Sequence, residues 1–176
     1  MNPQLQPVLE GARLKLRPLR ADDFEALYLA ASDPLIWELH PEPTRYLRDV
    51  FEAYFNSGIE SKGAFLISDR ASGEIAGSSR YYNWNPEERS IYVGYTFLTR
   101  KNWGGEVNRE LKALMLDHAF GFAEKVKFQV GEKNFRSRRA LEKIGAWLVE
   151  DSRPNAVYEI DRTSALKARN EARAKH

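Results

Sequence analysis

The feature that most constrains this chain is a strand pattern followed by a glycine pair and a long amphipathic helix. Residues 90–98 are rich in aromatic and β-branched side chains, as strands are. Gly104 and Gly105 follow, and from Val107 onward apolar side chains recur at helical spacing. The first-turn amides of such a helix have no helical partners, and its dipole adds about half a positive charge there. The junction therefore predicts an anion site, where glycines let a phosphate approach the backbone.

The order of periodicities along the chain predicts an α/β domain with a mixed sheet. The first part has a strand at 13–17, a helix that ends at Asp33-Pro34, a proline-rich stretch and a second helix closed near Gly58. The middle part has strands at 64–67, 74–82 and 90–98, with a loop at 83–88, and we expect an antiparallel meander. The last part has the helix after Gly105, a strand at 126–130, a helix at 134–144 and a hairpin of strands at 146–149 and 156–160.

Length and composition bound the function. The 176 residues suit a single domain, 1–176, whose charged tail at 162–176 we expect to be a loosely held helix or disordered. With 0 cysteines, a disulfide framework, a thiolate metal site and a cysteine nucleophile are excluded, and we expect no metal. The net charge of +2 argues against a nucleic-acid partner. The sequence has neither a signal-peptide pattern nor an apolar run of the ~20 residues that a membrane span needs, so we expect a cytoplasmic protein without a membrane partner.

Two segments carry a family resemblance. Residues 103–111, Trp-Gly-Gly-Glu-Val-Asn-Arg-Glu-Leu, resemble the pyrophosphate loop of the GNAT (Gcn5-related N-acetyltransferase) superfamily. Residues 130–145, with Asn134, Ser137 and a closing Glu-Lys-Ile-Gly, resemble its second cofactor motif. Residues 14–18 and 93–98 resemble the first strand and the splayed central strand, and the closest branch is the RimJ/RimL-like one that acetylates protein N-termini. The resemblance implies a GNAT-like fold: a central, mostly antiparallel, splayed sheet flanked by helices.

The resemblance also implies an activity and its site residues. Acetyl-CoA would be the co-substrate and a primary amine the acceptor, either a protein or peptide N-terminus or a small molecule. Ser137 would lie near the sulfur and pass it a proton, although a serine at a helix start is often only a cap. The residues implied in cofactor binding are Phe97, Leu98 and Thr99 for the pantetheine backbone contacts, Gly104, Gly105, Glu106, Val107, Asn108 and Arg109 for the pyrophosphate, Asn134 for the pantetheine, and Arg136 and Arg139 for the nucleotide end.

The sequence departs from the family pattern at three positions. Glu106 stands where a third glycine is usual, Asn108 where a small residue is usual, and Tyr92 where the branch often has a glutamate. A carboxylate that faces a pyrophosphate is repulsive, but a glutamate in the first helical turn also favours the dipole by roughly 0.3–1 kcal/mol. An alternative function therefore stays open: a non-catalytic acyl-CoA-binding module or a cofactor-free one. A homodimer is also compatible with the sequence.

The general base and the acceptor remain open at this stage. His40 is either a base with a pKa near neutral or a surface histidine. Five aromatic residues either line an acceptor pocket or serve core and rim packing: Trp37, Tyr46, Tyr81, Tyr82 and Trp84. Arg80 lies among them in the sequence and either meets an acidic acceptor or faces solvent. Water relayed to bulk solvent would make a side-chain base unnecessary.

Overall fold

A single eight-stranded sheet forms the centre of the computed structural model, which describes residues 2–176. The strands are β1 (Leu9–Glu10), β2 (Leu14–Pro18), β3 (Ala64–Asp69), β4 (Ile75–Asn85), β5 (Ser90–Leu98), β6 (Lys125–Gly131), β7 (Trp147–Ser152) and β8 (Asn155–Asp161). Their order is β1-β2-β3-β4-β5-β6-β8-β7, and every neighbouring pair is antiparallel except β5 and β6. The predicted mixed sheet, meander and terminal hairpin are confirmed.

Helices cover both faces of the sheet. They are α1 (Phe24–Ala31), α2 (Pro34–Trp37), α3 (Arg48–Ser61), α4 (Glu106–Ala119), α5 (Phe135–Lys143) and α6 (Arg162–Ala174). Successive side chains of a strand point to opposite faces. Accordingly Leu66 joins a core cluster with α1, α2 and α3, whereas Phe65 and Ile67 join a second cluster with α4, α5 and α6. No helix of residues 2–176 is long and apolar enough to span a membrane.

The two central strands separate after a short parallel contact. β5 and β6 pair only from Ser90 to Tyr92, opposite Lys125 to Lys127, and β5 then continues to Leu98. Beyond that contact, β5 has one residue more than β4 between the pairs Arg80–Gly94 and Ser78–Phe97. This bulge gives Tyr95 a φ of 51°, and the Tyr54 hydroxyl holds it by donating to the Tyr95 carbonyl at 2.5 Å. The expected splayed sheet is therefore present, with a gap between β5 and β6.

The predicted end of the second helix at Gly58 is wrong. Helix α3 continues to Ser61 and ends at Lys62, which takes the left-handed conformation at φ 52°. Gly58 lies inside the helix, at a position with little room for a side chain. A Cβ there would be 3.2 Å from Nη2 of Arg80 and 3.4 Å from a methyl group of Leu19. Its small size serves packing, not helix termination.

The predicted end of the first helix at Asp33-Pro34 agrees with α1, which ends at Ala31. Pro34 itself begins a further short helix, α2, where it occupies the first turn and a missing N–H costs nothing. The Asp33 carboxylate caps this helix by accepting from the Leu35 amide at 3.1 Å. Strand β4 runs to Asn85 and so takes in the first half of the loop predicted at 83–88, with Asn83 at φ 51° inside an irregular pairing with β5, whereas residues 86–88 form the expected turn.

The charged tail forms helix α6. The Asp161 carboxylate caps it by accepting from the Ser164 amide at 2.7 Å, and Ala165 is buried in the core. Gly145 lies so close that a Cβ there would be 2.5 Å from the Ser164 carbonyl oxygen. The start of the tail is thus packed, while a loosely held tail and a single domain stay predictions.

Candidate active site

A long cleft opens where β5 and β6 separate. Ten of the predicted site residues line it: Phe97, Leu98, Gly104, Gly105, Asn108, Arg109, Asn134, Arg136, Ser137 and Arg139. Three predicted residues, Thr99, Glu106 and Val107, do not line it. The fold thus brings together the end of β5, the N-terminus of α4 and the N-terminus of α5.

The N-terminus of α4 is open toward this cleft. Gly105 is its N-cap residue and provides no side chain, whereas Asn134 and Asp161 cap α5 and α6. Gly104 and Gly105 have φ values of 110° and 100°, and a Cβ on either would meet nothing within 4 Å. Amides without partners, next to empty space at a positive helix end, fit a phosphate group. The geometry of the loop therefore fits the pyrophosphate of a CoA donor.

The two predicted pyrophosphate residues outside the cleft have different surroundings. Val107 is buried in the core against the sheet, so only its backbone amide belongs to the open helix end. The Glu106 side chain is exposed in the first turn of α4. Since it does not line the cleft, its carboxylate acts on the helix dipole more than on a ligand.

Backbone groups at the end of β5 alternate between β4 and the cleft. The Phe97 carbonyl faces Gly77 of β4, and the Thr99 amide donates to the Ala76 carbonyl at 2.9 Å. The Thr99 carbonyl accepts from the Asn102 amide at 2.9 Å, so both backbone groups of Thr99 are already engaged. By alternation, the backbone groups of Thr96 and Leu98 face away from β4 toward the cleft, where the Leu98 carbonyl accepts from the Trp103 indole N–H. Thr96, which lines the cleft, was missed from the sequence, although strand alternation would have indicated it.

The sequence left open whether Ser137 caps α5 or acts on the ligand, and the structure gives the capping role to Asn134. The Asn134 side-chain oxygen accepts from the Ser137 amide at 3.2 Å, so Asn134 and not Ser137 caps α5. The Ser137 hydroxyl lines the cleft, half-buried, and within residues 2–176 it makes no hydrogen bond. It is therefore free to act on a ligand.

Arginines of α5 face the open end of α4. The Arg136 guanidinium lies 4.8 Å from the ring centroid of Trp103, whose indole N–H donates to the Leu98 carbonyl at 3.0 Å. Arg139 is exposed and lines the same cleft. These contacts place positive charge beside the uncapped helix, as a polyphosphate requires.

The opposite part of the cleft is lined by His40, Arg45, Tyr82 and Tyr95. Burial and the charge of Arg45 lower the pKa of His40 to about 4, so the expected pKa near neutral is wrong. The solvent-facing alternative for Arg80 is also wrong, because Arg80 is only 5% exposed. Its Nη1 donates to the Ser57 hydroxyl and its Nη2 to the Tyr54 carbonyl, both at 3.1 Å.

The position where the branch often has a glutamate holds a tyrosine outside this cleft. The Tyr92 ring lies 5.3 Å from the Tyr82 ring and lines a smaller cavity with Glu88 and Lys127. The Glu88 carboxylate accepts from the Lys127 ammonium group at 2.8 Å, and this ion pair lowers the pKa of Glu88. Tyr92 has no carboxylate and Glu88 lies in the smaller cavity, so neither provides a carboxylate base in the main cleft.

Comparison with known proteins identifies the class. The open helix end beside two diverging strands agrees with the donor site that the family resemblance implies. The acetyltransferase (GNAT) domain family matches residues 13–146, and the chain belongs to this family. It is accordingly an acyltransferase by family. A search of curated proteins gave no match.

Three solved structures illustrate the shared fold. A GCN5-related N-acetyltransferase from Brucella melitensis has a TM-score of 0.83 at 20% identity, covering 96% of this chain and 85% of that one. An acetyltransferase from Agrobacterium tumefaciens has a TM-score of 0.71 at 23% identity, covering 89% and 95%. Mycobacterium smegmatis RimJ, in complex with CoA-disulfide, has a TM-score of 0.73 at 19% identity and covers 98% of both chains.

Proposed function

We propose that this protein transfers an acetyl group from acetyl-CoA to a primary amine by direct attack of the amine. The observation that carries this proposal is the uncapped, glycine-opened N-terminus of α4 at the gap between β5 and β6. The likeness to RimJ, whose structure contains a CoA compound, supports CoA as donor and a RimJ/RimL-like acceptor such as a protein N-terminus. A small-molecule amine is the other acceptor class. The lack of cysteine is compatible with a reducing cytoplasm, where we place the reaction.

The donor is held by groups from three elements. The first-turn amides of α4 bind the pyrophosphate, and Arg136 and Arg139 bind the nucleotide end. The cleft-facing backbone of β5 and the Asn134 amide group, whose NH₂ is not used in capping, bind the pantetheine. Bound in this way, acetyl-CoA supplies an activated thioester carbon.

The chain's own residues promote transfer chiefly by position. Fixing the amine beside the donor removes the entropy cost of a bimolecular encounter. A backbone amide near the β5 bulge stabilises the developing oxyanion, and the Ser137 hydroxyl gives its proton to the leaving sulfur while it takes one back from water. His40, with its pKa near 4, is a weak base at neutral pH. The amine proton therefore leaves to water, which forgoes the roughly 10²–10⁴-fold gain of a positioned base.

The absence of a carboxylate at Tyr92 favours a second candidate, a module that binds acyl-CoA without turnover. Calorimetric titration of acetyl-CoA into the protein, together with thiol release in the presence of peptide and small-molecule amines, separates the two. Saturable binding with amine-dependent thiol release supports the enzyme. Binding without thiol release supports the module, and no binding by the folded protein contradicts both.

Glu106 is expected to have little influence on donor binding. Because its side chain is exposed and does not line the cleft, Glu106→Gln should change the acetyl-CoA Kd by less than about threefold, through weak screened charge effects. The same calorimetric titration measures this change. A Kd tighter by tenfold or more would show that the carboxylate opposes the pyrophosphate after all.

Ser137→Ala is expected to lower kcat about 10–100-fold while the acetyl-CoA Kd stays within threefold, because only proton delivery to the sulfur is lost. Ser137→Thr, which keeps a hydroxyl, is the matched control and should retain most of the activity. Since Asn134 provides the helix cap, neither change removes a cap. Equal kcat for the native protein and the alanine variant would restrict Ser137 to a structural role.

A further inference from the structure

Two arginines flank the ring of Tyr95 on the side of the cleft opposite the pyrophosphate site. The guanidinium carbon of Arg80 lies 3.9 Å from the ring centroid and that of Arg45 lies 5.9 Å from it. Both also lie over the Tyr54 ring, at 5.4 Å and 4.9 Å. Within residues 2–176 neither arginine forms an ion pair with a carboxylate.

Arg80 is a buried cation that the protein satisfies incompletely. Its hydrogen bonds go to neutral oxygens of Ser57 and Tyr54, and its Nε is buried without a partner among the described residues. Burial lowers its pKa, and the charge of Arg45 lowers it further. Gly58 of α3, which has no side chain, leaves room for the Arg80 guanidinium. The packing thus maintains a positive charge that local ion pairing does not neutralise.

Arg45 brings that positive potential to the ligand. It is half-buried, lines the cleft, and also stacks 5.6 Å from the Trp37 ring. Two exposed carboxylates lie nearby. Glu42 accepts from the Thr44 hydroxyl at 2.5 Å, and the charge of Arg45 contributes to lowering the pKa of Glu42, but the two residues form no ion pair within residues 2–176; Glu38 is exposed at the rim. Two like charges in a partly desolvated wall repel each other, and an anion placed before Arg45 relieves that repulsion.

We propose that the acceptor amine carries a carboxylate that binds to Arg45, with Arg80 reinforcing the field from behind Tyr95. A guanidinium binds a carboxylate through two parallel N–H···O bonds. Because Tyr95 lies at the β5 bulge, where the amine meets the donor, the carboxylate and the amine belong to the same small unit. That unit is either a free amino acid, through its α-carboxylate, or an acidic residue at a peptide N-terminus. This inference rests on the proposed function and narrows its acceptor class.

The test compares matched acceptors by calorimetry at neutral pH with CoA present. One pair is Asp-Ala-amide and Asn-Ala-amide, and the other is alanine and alaninamide. In one of these pairs, the native protein is expected to bind the compound with the carboxylate, Asp-Ala-amide or alanine, about tenfold or more tightly than its neutral analogue. A difference of this size is what a charge-assisted hydrogen bond gives. The preferred pair identifies the source of the carboxylate. Arg45→Gln should reduce the preference to within threefold, and Arg45→Lys should keep part of it.

Arg48→Gln is the matched control. Arg48 also stacks on aromatic rings, those of Phe24 and Tyr28, but does not line the cleft, so the preference should be unchanged. No preference in either pair, or a preference that survives Arg45→Gln, would overturn the inference. Acetyl-CoA binding and thiol release are measured separately. Turnover of neutral and acidic amines at equal kcat/KM would overturn the inference and leave the proposed function intact. Binding of the carboxylate ligand that depends on Arg45, without turnover, would support the carboxylate site and contradict the proposed acetyl transfer.

Discussion

Gly105→Asp is expected to weaken acetyl-CoA binding about 100-fold or more. An aspartate at this N-cap position would place a carboxylate at the open end of α4, whose first-turn amides are the groups proposed to bind the pyrophosphate. It would also place a negative charge beside the phosphates. Two unit charges ~4 Å apart interact by about 4 kcal/mol at an effective dielectric constant near 20, and each ~1.4 kcal/mol is a factor of ten in Kd. Calorimetric titration of acetyl-CoA measures the loss.

Gly73→Asp provides the matched control for that experiment. Gly73 also has a positive φ, 75°, with nothing within 4 Å of a Cβ, but it lies in the turn between β3 and β4, away from the cleft. Its substitution adds the same charge at another glycine of positive φ, so the Kd should stay within threefold. A Gly105→Asp variant with native-like circular dichroism and a Kd within threefold of the native value would contradict the assigned pyrophosphate site.

Gly77→Ala is expected to lower the free energy of unfolding by about 2–4 kcal/mol, which is large for a single methyl group. A Cβ at Gly77 would lie 1.9 Å from the Phe97 carbonyl oxygen and 3.1 Å from the Leu98 Cα. These contacts are backbone atoms, so relief requires β4 and β5 to move apart at the pairs Gly77–Leu98 and Ser78–Phe97. The end of β5 also faces the donor cleft, so donor binding should weaken as well. Urea denaturation gives the stability, and calorimetry gives the Kd.

Gly73→Ala separates steric overlap from backbone strain. It places alanine at a positive φ in open space, and should cost only about 1–2 kcal/mol. If Gly77→Ala and Gly73→Ala lower the free energy of unfolding equally, the close approach of β4 and β5 at Gly77 is not the cause.

The sequence predicts element type well where one period dominates. The alternation at 90–98 and the apolar stripe after Val107 correspond to β5 and α4. It fails where a residue distant in the sequence determines the local structure. Gly58 resembles a helix stop in the sequence, but in the structure it lies inside α3 and leaves room for the Arg80 side chain of β4. Local patterns carry no information about a partner over twenty residues away.

The candidate site shows the same division. The glycine pair predicts an open helix end from local chemistry alone, and the structure has that open end. The burial of Arg80 and the lowered pKa of His40 depend on packing of α2 and α3 against β4 and β5, which no local pattern encodes. Tyr95 belongs to this second group, because a bulge at its position depends on the register between two strands.

The two core clusters on opposite faces of the sheet have a consequence for protein engineering. At the end of β5, Phe97 packs with the α1–α3 cluster and Leu98 with the α4–α6 cluster. The acceptor wall is built on the first cluster and most of the donor site on the second, and Phe97 is the donor-site residue that belongs to the first. Energetic effects of substitutions in separate, non-contacting sets of residues are close to additive. Exposed residues of the acceptor wall, such as Glu38 and Leu39, can therefore be varied in libraries for new amine specificities, with CoA affinity as a check on folding. Trp37 has to be kept, because its buried ring packs 5.0 Å from the ring of Phe97.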